Sequence, residues 1–324
     1  MRGRTRLIPV LLLGLALAWP AAAGAKPRLA GVFDLSGTPG QIARGPDGNM
    51  WVTISGSGDS NTLAKIRPNG SVTEYSPADL VNPIGLGAGP DGNLWATRNG
   101  GVVRIPPGDP DSAEAFDIAA ISSPQRIIQG PQNRMWTASN DQLVSFLPND
   151  PLDFDDETID DMSGRGIAAS GNKLWIADFA GGRIIRANPD GGADGGFKAF
   201  AVGGNGPQAV ARGPKKGIAY TNQGTDPDTV GRILPPKNPR KTRVPNTDPF
   251  GITFASDGKW WIANFLSHDL TILDREGNAR RFRKLPDNSG PRFIAAGPDK
   301  TVWVSLETSQ QIARIKGVKR PRRR

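Results

Sequence analysis

The chain has 324 residues, 40 basic and 31 acidic side chains, one histidine and no cysteine. That excludes disulfides, a thiol nucleophile and thiolate metal ligation, and leaves a histidine-based metal cluster without ligands. The formal charge of +9 suggests a nucleic-acid footprint, but three arginines in residues 1–25 and six basic side chains in residues 316–324 supply all of it, leaving residues 26–315 neutral. A neutral body has no broad field for a phosphate backbone, so specific nucleic-acid binding is excluded.

Residues 1–25 read as a secretory signal peptide. Arg2, Arg4 and Arg6 form a positive start, Leu7 to Trp19 an apolar run, and Ala23-Gly24-Ala25 a small-residue cleavage site. The run is shorter than the ~20 residues a membrane span needs. There is no cysteine for lipid attachment and no twin-arginine pair, which points to a product that is secreted or held at the exterior of the cell envelope.

From Pro39 onward one sentence recurs. Its clearest copies are Gly45-Pro46-Asp47-Gly48-Asn49-Met50-Trp51 and Gly89-Pro90-Asp91-Gly92-Asn93-Leu94-Trp95. Trp136, Trp175, Trp261 and Trp303 occupy the same slot, and Ala219 stands in it once; the gaps are 44, 41, 39, 44, 42 and 42 residues. A period of ~40–45 residues with a turn signal and a tryptophan predicts a seven-bladed β-propeller.

In the first copy, Gln41–Arg44 is an innermost strand and Gly45–Gly48 a turn. Met50–Thr53 and Leu63–Arg67 follow as strands, and Ser71–Tyr75 is the outer one. The tryptophans belong in the wedges between blades. Ala219 therefore predicts a poorly packed fifth blade, partly filled by Tyr220. The last repeat has only three strands, so Gly31-Val32-Phe33-Asp34-Leu35 is expected to complete it and close the ring. Seven blades account for residues 26–315 as one all-β, monomeric domain of four-stranded antiparallel blades. Residues 316–324 form a basic tail suited to weak contact with anionic envelope polymers.

Two rings of residues are expected at one mouth of the central channel. The first follows the proline that opens each innermost strand: Gly40, Ile84, Gln125, Arg165, Gln208, Phe250 and Arg292. The second lies three and four residues beyond each tryptophan slot and includes Asp178, Asn222, Asn264 and Glu307.

The repeated Pro-x-x-Ile…Gly-Pro-Asp-Gly-x-Leu-Trp pattern, with third strands such as Val230-Gly231-Arg232-Ile233 and Ile312-Ala313-Arg314-Ile315, resembles the streptogramin (virginiamycin B) lyase family of seven-bladed propellers. The resemblance runs over the whole of residues 26–315. It implies elimination across the ester bond of a cyclic depsipeptide antibiotic, with magnesium and a histidine base. The family's histidines follow the prolines opening the last two blades, where this chain has Phe250 and Arg292. Gly290 stands where the family has an acid, and only the glutamate after the last tryptophan is kept, as Glu307, which makes it the one catalytic candidate. Phenylalanine cannot take a proton and arginine stays charged, so the family's mechanism does not carry over.

His268, the only histidine, reads as a turn residue away from both rings. An oxygen-ligated magnesium or calcium site at the mouth would draw on Glu307 and Asp178, with Asn222 and Asn264 nearby. The acidic run Asp153–Glu157 reads as a solvated edge strand, and the glycine-rich segment 191–196 as a hairpin connection rather than a phosphate cradle. The resulting expectation is a binding propeller that takes a small-molecule, peptide or saccharide ligand on Gln125, Arg165, Gln208, Phe250 and Arg292, with Asn222 and Asn264. A divergent lyase or metal-dependent hydrolase is the alternative.

Overall fold

Each repeat folds into one four-stranded antiparallel sheet, and seven such sheets form a ring. The computed structural model describes residues 26–56, 61–189, 196–204, 206–223, 227–234 and 237–319. The segment read as a signal peptide, residues 320–324 of the basic tail and most of the glycine-rich segment lie outside the described residues. The innermost strands are Thr38–Arg44, Leu86–Ala88, Pro124–Gln129, Gly164–Ser170, Pro207–Arg212, Pro249–Phe254 and Pro291–Gly297. The first strand, Arg28–Asp34, pairs antiparallel with Gln311–Lys316, setting Val32 against Ala313 and Phe33 against Ile312. The N-terminal segment therefore closes the last blade. The chain stays packed past Ile315: Val318 is fully buried and its amide bonds to Lys300.

The signature repeats because its residues depend on one another. In blade 1 the Asp47 carboxylate accepts from the Asn49 amide at 3.1 Å and from the Trp51 indole at 3.0 Å. The aspartate thus holds the turn and also anchors the tryptophan, a second role beyond turn chemistry. Gly45 is fixed by space: a Cβ there would sit 2.5 Å from Trp51. Asp91–Trp95 and Asp257–Trp261 repeat the bond at 3.2 and 3.1 Å.

The same aspartate titrates oppositely in two blades. At Asp47, burial opposes ionisation, but the bonds from Asn49, Trp51 and Lys65 outweigh it and hold the carboxyl below its usual value. At Asp257 burial dominates and raises it. A raised folded pKa means that ionisation costs stability at neutral pH, and the cost disappears as pH falls through the folded value. Asp257→Asn keeps an acceptor for Trp261 and removes that cost. It should raise the thermal midpoint at pH 7, and the advantage should vanish below about pH 4. A variant that is equally destabilised at both pH values would show that the charge is not the issue.

The fifth blade departs from expectation. Ala219 leaves no gap, because Trp260 of blade 6 enters the wedge between blades 5 and 6 and packs with Ala219 and Val230. Its indole donates to the Arg212 carbonyl at 3.0 Å and lies over Gly213, the turn glycine of blade 5. Neighbouring residues on a strand face opposite sides. Trp260 therefore serves the wedge before blade 6, and Trp261 the wedge after it. Tyr220 packs with Trp175 in the preceding wedge and does not fill the place of the missing indole. Each of the seven wedges holds one tryptophan.

Candidate ligand site at the channel mouth

Six of the innermost strands slip register just after they begin, between Pro39 and Ile42, Pro124 and Ile127, Gly164 and Ile167, Pro207 and Val210, Pro249 and Ile252, and Pro291 and Ile294. A β-bulge frees residues from the ladder and re-aims them. Here two residues per blade are freed toward the channel. Hydroxyls of the second strand take up released amides: Thr221 accepts from Ala209 at 3.2 Å and Ser305 from Phe293 at 2.9 Å. Thr221 also donates to the Phe250 carbonyl of the next blade at 2.7 Å, tying neighbouring bulges together.

The first freed residues form the outer ring, and the second form a narrower waist beneath it. Gln125, Arg165, Gln208, Phe250 and Arg292 line one cavity of about 70 Å³ together with the waist residues Gln41, Arg126 and Phe293. The structure therefore gathers these five predicted residues at one place. The waist is narrow because Gly166 and Gly251 let adjacent strands approach; a Cβ on Gly166 would lie 2.6 Å from the Ala209 Cα.

The outer ring is uneven in charge. The Arg292 Nη1 donates to both Glu307 oxygens, at 2.8 and 2.7 Å, and its guanidinium lies 4.5 Å from the Phe250 ring. Phe250 meets Phe293 edge-on at 5.4 Å. Behind them, Asp228 accepts from the Thr247 and Asp248 amides at 3.1 and 2.9 Å. The Asp248 carboxyl is raised, first by burial and then by the Asp228 charge, against the pull of Arg292. Carboxylates thus balance the cation on this side. Across the ring Arg165 stacks on Phe179 at 4.5 Å and has no carboxylate partner among the described residues. Gln208 donates to Gln223 at 2.6 Å.

The second ring is split by parity. The residue four beyond the slot, such as Phe179, Gln223 or Glu307, meets the outer ring. The residue three beyond is the last paired one and turns inward: Asp178, Asn222 and Asn264 are fully buried. Asp178 accepts from the Ser163 and Gly181 amides and pairs with Arg183 at 2.5 Å. Asn222 donates to the Gly203 carbonyl at 2.7 Å, and Asn264 to Asp269 at 2.8 Å. None of the three faces the mouth. The metal set of Glu307 with Asp178 is not assembled, because each carboxylate is held by an arginine of its own blade. Among the described residues no group of three His, Cys, Asp or Glu side chains could hold a metal ion.

His268 lies closer to the mouth than its sequence position implies. It sits in the blade 6 turn with φ of 54°, and its Nδ1 accepts from the Gly290 amide at 3.2 Å, two residues before Arg292. Arg126, which sequence reasoning passed over, projects into the waist itself. Its signal was its place beside Gln125, since a bulge frees two residues and not one.

Comparison with known proteins fits this architecture. The model of the virginiamycin B lyase family matches residues 157–319, half of the chain. A virginiamycin B lyase of Nocardia farcinica is 31% identical over 133 residues, which cover 40% of this chain and 44% of the relative's length. A streptogramin B lyase structure superposes with a TM-score of 0.77 at 18% identity, covering 90% of this chain and 97% of the other. A catalytically inactive virginiamycin B lyase of Staphylococcus aureus, solved with quinupristin, also gives 0.77, at 17% identity, covering 90% and 99%. Ring closure, repeat signature and family match agree: the chain belongs to the virginiamycin B lyase family.

Proposed function

We propose that this protein is an exported binding member of its family, one that has lost the lyase base and takes an anionic or hydrogen-bonding ligand at the channel mouth. The observation that carries the reading is the fate of the two positions where the family resemblance implies histidines. Phe250 and Arg292 fill them, stacked on each other, with Arg292 held by both oxygens of Glu307. A guanidinium cannot accept a proton at any ordinary pH, and the carboxylate beside it is occupied. On the opposite side Arg165, like Arg126 beneath it, has no carboxylate partner among the described residues, and the amides of Gln125 and Gln208 line the same cavity. A carboxylate-bearing metabolite, peptide or saccharide matches that donor set.

Quinupristin incubated with the protein and magnesium separates the readings. An intact ring at high protein concentration is expected; a ring opened in a magnesium-dependent way would overturn the loss of the base and point to Glu307. For binding, a panel of small carboxylates and uronic-acid saccharides should include one that shifts the melting temperature. Arg165→Gln should abolish that shift, and Arg292→Ala should weaken it by releasing Glu307 into the mouth. No shift with any member, or a shift that both variants keep, would remove the proposed site.

A further inference from the structure

The channel has a second cavity beyond the waist, at the opposite end from the ring of Gln125, Arg165 and Gln208. Its volume is about 350 Å³, and its polar lining comes mainly from Arg44, Arg126, Gln129 and Arg212. These come from blades 1, 3 and 5, so they approach from around the ring. Among the described residues no carboxylate lines this cavity, in contrast to the mouth beside Glu307. None of the three guanidiniums has an ion-pair or hydrogen-bond partner among the described residues.

Arg126 is the unusual member, since it borders both cavities. Its backbone is pinned: Thr137 donates to its carbonyl at 2.8 Å, and Gly85 brings the neighbouring strand against its Cα. Burial holds the guanidinium below the ordinary arginine range, with no carboxylate to offset the cost. Arginine keeps its charge even so, and the half-buried guanidinium, which faces the channel, is relieved of part of that cost when an anion supplies a counter-charge. The planar fork of arginine suits phosphate oxygens.

We propose that this end of the channel is an anion site, in which Arg126 forms the floor and Arg44 and Arg212 the rim, and that it takes a small multivalent phosphate. The cavity lies beyond the mouth and shares Arg126 with it, and the proposal does not depend on the reading of Arg165.

Pyrophosphate titrated calorimetrically into the protein at low ionic strength tests it. Saturable binding of one equivalent is expected, weakening as salt rises. Arg126→Gln should weaken it on the order of 10- to 100-fold, as loss of a charge-assisted contact predicts. If that variant fails to fold, Arg44→Gln with Arg212→Gln serves instead, because both side chains are exposed. Binding that Arg165→Gln abolishes while Arg44→Gln with Arg212→Gln leaves it intact would place the anion at the mouth and overturn the proposal. Absence of saturable binding would overturn the proposal. So would affinity that survives both sets of substitutions, or that falls only when Arg320, Arg322, Arg323 and Arg324 of the tail are replaced by glutamine.

Discussion

Trp260→Ala should cost about 3–5 kcal/mol in urea denaturation, as much as emptying any tryptophan slot of the repeat. Trp260 is fully buried, touches Phe254 at 5.4 Å between ring centres, and donates to Arg212. The cost arises from the wedge between blades 5 and 6, where Ala219 offers nothing to replace the lost ring. A double-mutant cycle makes the claim sharper. Ala219→Trp alone should overpack the wedge, at about 1–3 kcal/mol. In the Trp260→Ala background the same change should recover part of the loss, so the two effects should be strongly non-additive. Additive effects, or a loss below about 1 kcal/mol for Trp260→Ala, would mean that the two positions do not share one space.

This exchange marks the limit of what repeats reveal. The spacing of Trp51, Trp95, Trp136, Trp175, Trp261 and Trp303 made seven blades legible, because turn and strand are local and each copy restates them. Ala219 leaves its own slot without a ring, and the compensating indole, Trp260, lies in the next blade. Strand parity would have found it. Lys259-Trp260-Trp261 places two indoles on opposite faces of one strand, and only one can serve the slot. Closure by residues 28–34 was legible for a simpler reason, since the last blade lacks a strand.

The mouth was legible to the same depth. A proline opening each innermost strand marks where the bulge begins, so Gln125, Arg165, Gln208, Phe250 and Arg292 could be placed together by counting. Counting could not say which of two adjacent residues faces the channel at the far end of the second strand. There Asp178 and Asn222 face inward because each satisfies a nearby loop, Asn264 because it bonds Asp269 and Thr271 of the next strand, and Asp178 also neutralises Arg183. Nor could it pair Arg292 with Glu307, which are 15 residues apart and meet only through strand pairing. The waist needs the bulge geometry itself: Arg126 stands beside Gln125 in the sequence, but only the two-residue bulge shows that both are freed.

Removing residues 26–35 should abolish cooperative folding rather than trim the molecule. The deletion uncovers Gln311–Lys316 as an open strand edge and strips Leu29, Val32 and Phe33 from the clusters on either face of the seventh blade. Phe33 stacks on Trp303 at 5.8 Å, and the Arg314 guanidinium lies 5.2 Å from Phe33 and 5.4 Å from Trp303. Full burial of such side chains contributes about 1.5–3 kcal/mol each. Partial burial lowers that sum, yet it still approaches the total stability of about 5–15 kcal/mol that a domain possesses. An unpaired edge also invites association between copies. The truncated chain should therefore aggregate or unfold without a sharp transition. A peptide of residues 26–36 added in trans should restore the transition by strand addition, since it returns the backbone pairing together with Leu29, Val32, Phe33 and Leu35. The same peptide with Phe33→Ala should restore less. A truncated chain that stays soluble and melts at the full-length midpoint would mean that six complete blades and a three-stranded seventh are enough, and that closure contributes nothing to holding the ring.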